Sequence, residues 1–183
     1  LFMLFKGTKK RSAKMIAEEI ESSGGYLNAF TSKEHTCYYS KGLTEHLGKT
    51  FSVLSDLIQN PLFKEIHIRK ESGVVIDELK DIDDNPEELI YDRFEEIIFN
   101  GNRLSYPVIG KEKNIENFRS SDLFSYHEFN YKTNGLMIVA SGNLKHEELI
   151  KLTEKYITQQ NSKRRRSREQ FHFKKVEDSF IDE

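Results

Sequence analysis

The chain of 183 residues contains one cysteine, Cys37, and three prolines. A single thiol excludes an intramolecular disulfide framework and any zinc cluster built on cysteines. No apolar run approaches the ~20 residues that a membrane-spanning helix needs. Charge of one sign is lacking too: 28 Lys and Arg face 30 Asp and Glu, for a formal net charge of -2. Such balance gives no global drive toward nucleic acid or an anionic membrane. There is no internal repeat and, before residue 160, no Gly/Ser linker. The chain opens on Leu1 rather than Met, so the presence or absence of a targeting leader is not legible from it.

Bulky core material is present, in 13 Phe and 8 Tyr. Ser12 can cap a helix to Ser22 with Met15, Ile16 and Ile20 on one stripe, stopped by Gly24-Gly25. Tyr26–Thr31 and Thr36–Ser40 read as a hairpin closed by Ser32-Lys33-Glu34-His35. Leu47, Phe51, Leu54 and Ile58 recur at helical spacing until Pro61. A third helix spans roughly Lys64 to Ile82, although Gly73 and Val74-Val75-Ile76 weaken its propensity. Asn85-Pro86 with Glu88 predicts the start of a fourth, which runs to about Phe99. A short helix near Ser121–Asn130, a strand Leu136–Ser141 and a helix Lys145–Ile157 follow. The expected class is α+β: a mixed, largely antiparallel sheet with helices packed on one face. Residues 1–160 form the expected domain. Residues 161–183, with the basic run Lys163–Arg168, read as a polar linker or the start of a further segment.

Most motifs that carry chemistry are broken. His146-Glu147 begins the H-E-x-x-H zinc pattern but closes on Ile150, and His127-Glu128 closes on Tyr131. The inverted H-x-x-E-H frame needs histidine at Thr31 for Glu34-His35 and at Gly42 for Glu45-His46. No nucleophile elbow or phosphate loop occurs. Cys37 reads as a buried, inert thiol. One carboxylate pair stands out: Glu71 and Glu78 are seven residues apart, ~700° around a helix, and so share a side two turns apart. Such a pair either holds a cation or forms part of a solvated acidic face, to which Asp77, Asp81, Asp83 and Asp84 would also belong.

Several ordered blocks nevertheless resemble one family. Met3-Leu4-Phe5-Lys6-Gly7-Thr8-Lys9-Lys10 is similar to the segment after the H-x-x-E-H motif of inverzincin metallopeptidases. Leu27-Asn28-Ala29-Phe30-Thr31-Ser32-Lys33-Glu34-His35-Thr36 resembles the active-site hairpin of that family, which includes pitrilysin, insulin-degrading enzyme and mitochondrial processing peptidase. Glu71, Gly73, Val74, Val75, Ile76 and Glu78 resemble the helix that carries its third zinc ligand. Leu104, Tyr106, Pro107, Ile109 and Gly110, and the run ending Ser141-Gly142-Asn143, resemble further segments. The likeness covers residues 3–157, within the first half of the family's two-halved enzyme, and points to bacterial processing-peptidase-like members.

The resemblance implies a zinc metalloendopeptidase with Glu78 as metal ligand and Glu71 as a supporting acid. Asn28, Ala29, Phe30 and Thr31 would then form the edge strand that binds substrate backbone. Two histidines and Glu78 would leave zinc a position for water, whose proton the motif glutamate takes. His35 and Glu34 would contact substrate or serve structure. Implied partners are a peptide or unfolded protein substrate and a second homologous half or subunit, with no nucleic acid and no membrane span. The compartment would be the bacterial cytoplasm or, alternatively, the mitochondrial matrix. The pattern breaks at the start, where Leu1 stands in place of the catalytic glutamate and Phe2 in place of the second histidine. Neither ligates zinc or accepts a proton, so this chain alone is expected to bind zinc weakly at best and to be inactive. The expectation allows three origins: a piece of an active peptidase, a non-catalytic family subunit that binds peptide or scaffolds a partner, or a Leu1-Phe2 pair foreign to the protein.

Overall fold

A computed structural model describes residues 1–131 and 135–158. The elements are α1 (Ala13–Glu21), β1 (Tyr26–Thr31), β2 (Thr36–Lys41), α2 (Leu47–Gln59), α3 (Glu65–Asp83), α4 (Pro86–Ile98), α5 (Glu112–Asn117), α6 (Ser120–Asn130) and α7 (His146–Tyr156). Short 3-10 turns lie at Phe2–Lys6, Thr44–His46 and Arg103–Ser105. The fold is α+β, with a two-stranded antiparallel sheet among the described residues. The expected linker at 161–183 lies outside them.

Two compact units share the chain. Leu1–Glu71 joins with residues from Phe118 on, and Ser72–Asn117 forms the second. In the first unit Leu4, Ile16, Ile20, Val53, Leu57, Phe63 and Ile68 make the core. The local signals work as physics requires. The Ser12 hydroxyl accepts from the Met15 N–H at 3.2 Å and so satisfies a free donor at the start of α1. Gly24 ends that helix with φ 66°, a left-handed conformation that suits glycine. Gly25 follows because space demands it: a Cβ there would lie 2.9 Å from the Ile20 carbonyl oxygen. Phe63 adopts φ 42° between Pro61 and α3, unusual for a bulky residue. Its buried ring meets Phe124 edge-on at 5.1 Å and His127 at 5.7 Å, contacts that offset the strain.

The second unit holds the end of α3, α4 and α5, and Ile115 on α5 is its buried hydrophobic residue. Ser72 Oγ donates to the Ile115 carbonyl at 3.1 Å. Asn85 caps α4 as expected: its side-chain oxygen accepts from the Glu87 N–H at 3.1 Å while its amide donates to Glu88 at 3.0 Å. A cavity of about 160 Å³ is lined by Leu79, Ile82, Leu89 and Ile109, with Asp92 and Lys111 among its polar groups.

The structure corrects four expectations. Leu136–Ser141 forms no strand; it is irregular, with Met137 84% and Val139 80% exposed. A strand forms only beside a neighbour that takes up its backbone groups, and no such neighbour exists among the described residues. Met15 is 45% exposed, because α1 buries only a narrow stripe centred on Ile16 and Ile20. On α2 the expected stripe Leu47, Phe51, Leu54 and Ile58 is buried at Phe51 and half-buried at the other three, and Val53, Ser55, Asp56 and Leu57 are buried as well. That helix has α1, β2 and α7 around it, so it is covered on several sides. Cys37 is half-buried, not buried, because it points to the open side of the hairpin.

Candidate functional site: a hairpin edge beside a pinned loop

The hairpin registers Tyr26 with Lys41, Asn28 with Tyr39, Phe30 with Cys37, and Thr31 with Thr36. The Ser32 N–H donates to the His35 carbonyl at 2.8 Å and so closes the turn. Hydrogen-bonded pairs alternate from that point, so the backbone groups of Asn28 and Phe30 face β2. Those of Leu27, Ala29 and Thr31 then point to the outer edge. The side chains divide as well. Leu27 and Tyr38 pack on the core, whereas Tyr26, Phe30 and Tyr39 lie on the opposite, exposed face. Tyr39 stands between the other two rings, 6.2 Å from each. His35 sits edge-on to Phe30 at 5.9 Å, its Nδ1 2.7 Å from Ser32 Oγ, which gives it a role in the turn itself.

The outer edge is not bare. The Ala29 N–H donates to its neighbour's side-chain oxygen, Asn28 Oδ1, at 2.8 Å. Asn28 Nδ2 in turn donates to the Tyr26 hydroxyl. A side chain thus satisfies one of the three outward amides, the middle one, that a neighbouring strand would otherwise take.

The loop before α1 is held by a buried network. Asp56 Oδ2 accepts from Thr8 Oγ1 at 2.6 Å and from Arg11 at 2.8 Å, and Asp56 Oδ1 accepts from Asn60 at 2.9 Å. Arg11 also bonds Glu19 at 3.0 Å. Burial alone would raise the Asp56 carboxyl, but the three donors outweigh it and hold its pKa below the ordinary value. Burial would likewise lower Arg11, yet its bonds to Asp56 and Glu19 carry it upward. Tyr38 and Tyr131 share a hydroxyl–hydroxyl bond of 2.9 Å. Burial pushes both phenols up, and for Tyr38 the neighbouring Tyr131 adds to it.

The two carboxylates of α3 have different surroundings. Glu71 is half-buried and its Oε1 pairs with Lys6 Nζ at 2.6 Å. Glu78 is exposed. No three His, Cys, Asp or Glu side chains gather as a metal-holding group among the described residues. Leu1 and Phe2 supply no donor atoms. The residues present therefore do not fit a zinc site by themselves.

A profile of the insulinase family (peptidase family M16) matches residues 2–112. The chain belongs to this family. An uncharacterized zinc protease of Rickettsia bellii is 39% identical over 153 residues, 84% of this chain and 37% of that protein. The mitochondrial-processing peptidase subunit beta of Bos taurus is 35% identical over 152 residues, 83% of this chain and 31% of that one. The chain thus spans about a third of the length of these insulinase-family relatives. A protease crystal structure from Helicobacter pylori superimposes with a TM-score of 0.82 at 23% identity, covering 88% of this chain and 40% of that one, which shows a shared fold.

Against the sequence reading, the structure brings Asn28, Ala29, Phe30 and Thr31 together on one strand whose outer edge pairs with no other strand among the described residues. It does not gather ligands around Glu78. Sequence reasoning missed Lys6 as the partner of Glu71, and no local signal marks it. It also missed the ring ladder. Alternation along β1 puts Tyr26 and Phe30 on one face, but placing Tyr39 with them takes the register that pairs it with Asn28.

Proposed function

We propose that this chain is the peptide-gripping part of a zinc metalloendopeptidase of the processing-peptidase type. The observation that carries the reading is the free edge of β1, with the backbone groups of Leu27, Ala29 and Thr31 directed outward. An extended peptide added to such an edge is held by main-chain hydrogen bonds, so many sequences are accepted. In the whole protein, Glu78 would be a zinc ligand and Glu71 would support the site; zinc there would supply an activated water. Residues 1–160 would form the half-domain, closed by a second homologous half or subunit, with 161–183 as a linker. The compartment would be the bacterial cytoplasm or the mitochondrial matrix.

Alone, this chain would bind peptide without cleaving it, since Leu1 and Phe2 have no group to hold metal or accept a proton. That same observation favours a second reading, a non-catalytic family subunit that binds peptide or scaffolds a partner. One experiment separates them. A variant with Leu1→Glu and Phe2→His behind an added His-x-x restores H-x-x-E-H directly before Met3. It is expected to take up zinc and cleave unfolded peptides, with a chelator abolishing cleavage. Adding Glu78→Gln should lower metal content and activity together. Unchanged metal content in that variant would overturn the ligand assignment, and no cleavage by the restored chain would favour the binding subunit.

A further inference from the structure

Of the two carboxylates on α3, one already has a cation. Glu71 Oε1 lies 2.6 Å from Lys6 Nζ, with the Glu71 side chain 14% and the Lys6 side chain 33% exposed. Glu71 follows the buried Ile68 by one turn of α3 and so stands near the side of the helix that meets the core. A carboxylate drawn out of water in this way needs a partner. Its own helix supplies none. The positions three and four residues away are His67, Ile68, Val74 and Val75, which hold no Lys or Arg. Arg69 and Lys70 are too near along the helix to face it, and both are exposed. The cation has to come from another element, and it comes from the turn Phe2–Lys6.

That turn has few other ties of its own. It is a five-residue 3-10 helix with no side-chain cap, and Leu4 is its buried residue. Short 3-10 turns have poor hydrogen-bond geometry and hold their shape through what they pack against. Immediately after Lys6 the chain is pinned: the Leu62 N–H donates to the Gly7 carbonyl at 3.2 Å, and Thr8 Oγ1 donates to Asp56. Lys6 extends that pinning back to the turn itself and attaches it to α3. By the resemblance set out above, the zinc motif would end directly before Met3, so this turn is the segment that continues it.

Resting on the reading of Glu71 as a supporting acid, we propose that Lys6 is a positioning residue for Glu71. Its ammonium fixes the carboxylate and docks the turn on α3 with no metal present. The residues here do not fit a zinc site by themselves, and the charge that Glu71 requires is supplied by a side chain of the chain. The turn and the acid are therefore set in place before any metal or substrate arrives, which is how a supporting shell keeps a site precise. Partly removed from water, the pair is screened by salt less than a surface pair would be.

Amide exchange of the full chain by NMR, in buffer with a chelator, tests the brace. Lys6→Met keeps the apolar stem and removes the charge, and Glu71→Gln removes the opposite charge. Each should speed exchange at Leu4, Phe5 and Lys6 about tenfold and leave α7 unchanged, as local opening does. The double variant should exchange no faster than either single one, and Lys6→Arg should restore the parent rate. Thermal melts check that each variant folds. Unchanged exchange at the turn in a folded Lys6→Met, effects that multiply in the double variant, or an equal rise in α7 would each overturn the brace. In the chain with H-x-x-E-H restored, Lys6→Met should lower kcat about tenfold at the same KM and zinc content, and Lys6→Arg should recover it. Unchanged kcat, or a loss explained by lower zinc content, would overturn the positioning role. A restored chain that cleaves nothing would remove the peptidase reading, and the exchange series would still decide the brace.

Discussion

Tyr38 and Tyr39 are neighbours in sequence and opposites in circumstance. Tyr38 turns inward, packs against the core beside Phe5, and shares its hydroxyl with Tyr131. Tyr39 turns outward into a row of exposed rings. One strand therefore carries two functions on its two faces, because successive side chains point in opposite directions. The inner face, with the Asp56 network beyond it, fixes the scaffold. The outer face and the β1 edge are left available.

The largest expected effect falls on the scaffold. Asp56→Ala removes the acceptor of Thr8, Arg11 and Asn60 and takes from the half-buried Arg11 one of its two carboxylate partners, leaving Glu19. It should cost about 3–5 kcal/mol in urea unfolding. Gly25→Ala perturbs the join between core and hairpin, where the new Cβ would crowd the Ile20 carbonyl. A loss of about 1–3 kcal/mol is expected from the same measurement. The two tyrosines sharpen the contrast directly. Tyr38→Phe removes the hydroxyl bond to Tyr131 and should cost about 1 kcal/mol, whereas Tyr39→Phe should fall within about 0.5 kcal/mol of the parent. Equal losses would erase the distinction between the faces.

Acid is the gentlest perturbation. The Asp56 carboxyl is held below its ordinary pKa in the fold, so the unfolded chain binds its proton first as pH falls. Its contribution is complete above the unfolded pKa of about 4 and is lost as pH drops through the lower folded value. Melting temperatures across that range should decline in the parent and flatten in Asp56→Asn.

Much of the local structure was legible in the sequence. Ser12, Gly24 and Asn85 act within a few residues of themselves, so their caps could be read directly. The hairpin was legible because two alternating runs flank a short polar turn. What stayed hidden depends on distance along the chain. Thr8 and Asp56 meet across 48 residues, and nothing in either neighbourhood announces the other. The apolar run Leu136–Ala140 looked like a strand on propensity, yet a strand is a property of a pair. The stripe on α2 gave the helix and Phe51 but not Val53 or Leu57, because it presumes a single buried side, whereas that helix is covered on several. At the candidate site, the strand Asn28–Thr31 was named by resemblance. Its side-chain cap on Ala29 and its ring ladder required the register.

The central claim is that the outer edge of β1 receives an extended peptide, and amide hydrogen exchange by NMR tests it most directly. In the free chain the amides of Asn28 and Phe30, which face β2, should be protected, while those of Leu27 and Thr31 exchange fast. A saturating extended peptide of alternating Phe and Thr should slow exchange at Leu27, Ala29 and Thr31 and leave Asn28 and Phe30 as they were. Peptide that binds without changing exchange at Ala29 and Thr31 would contradict the account.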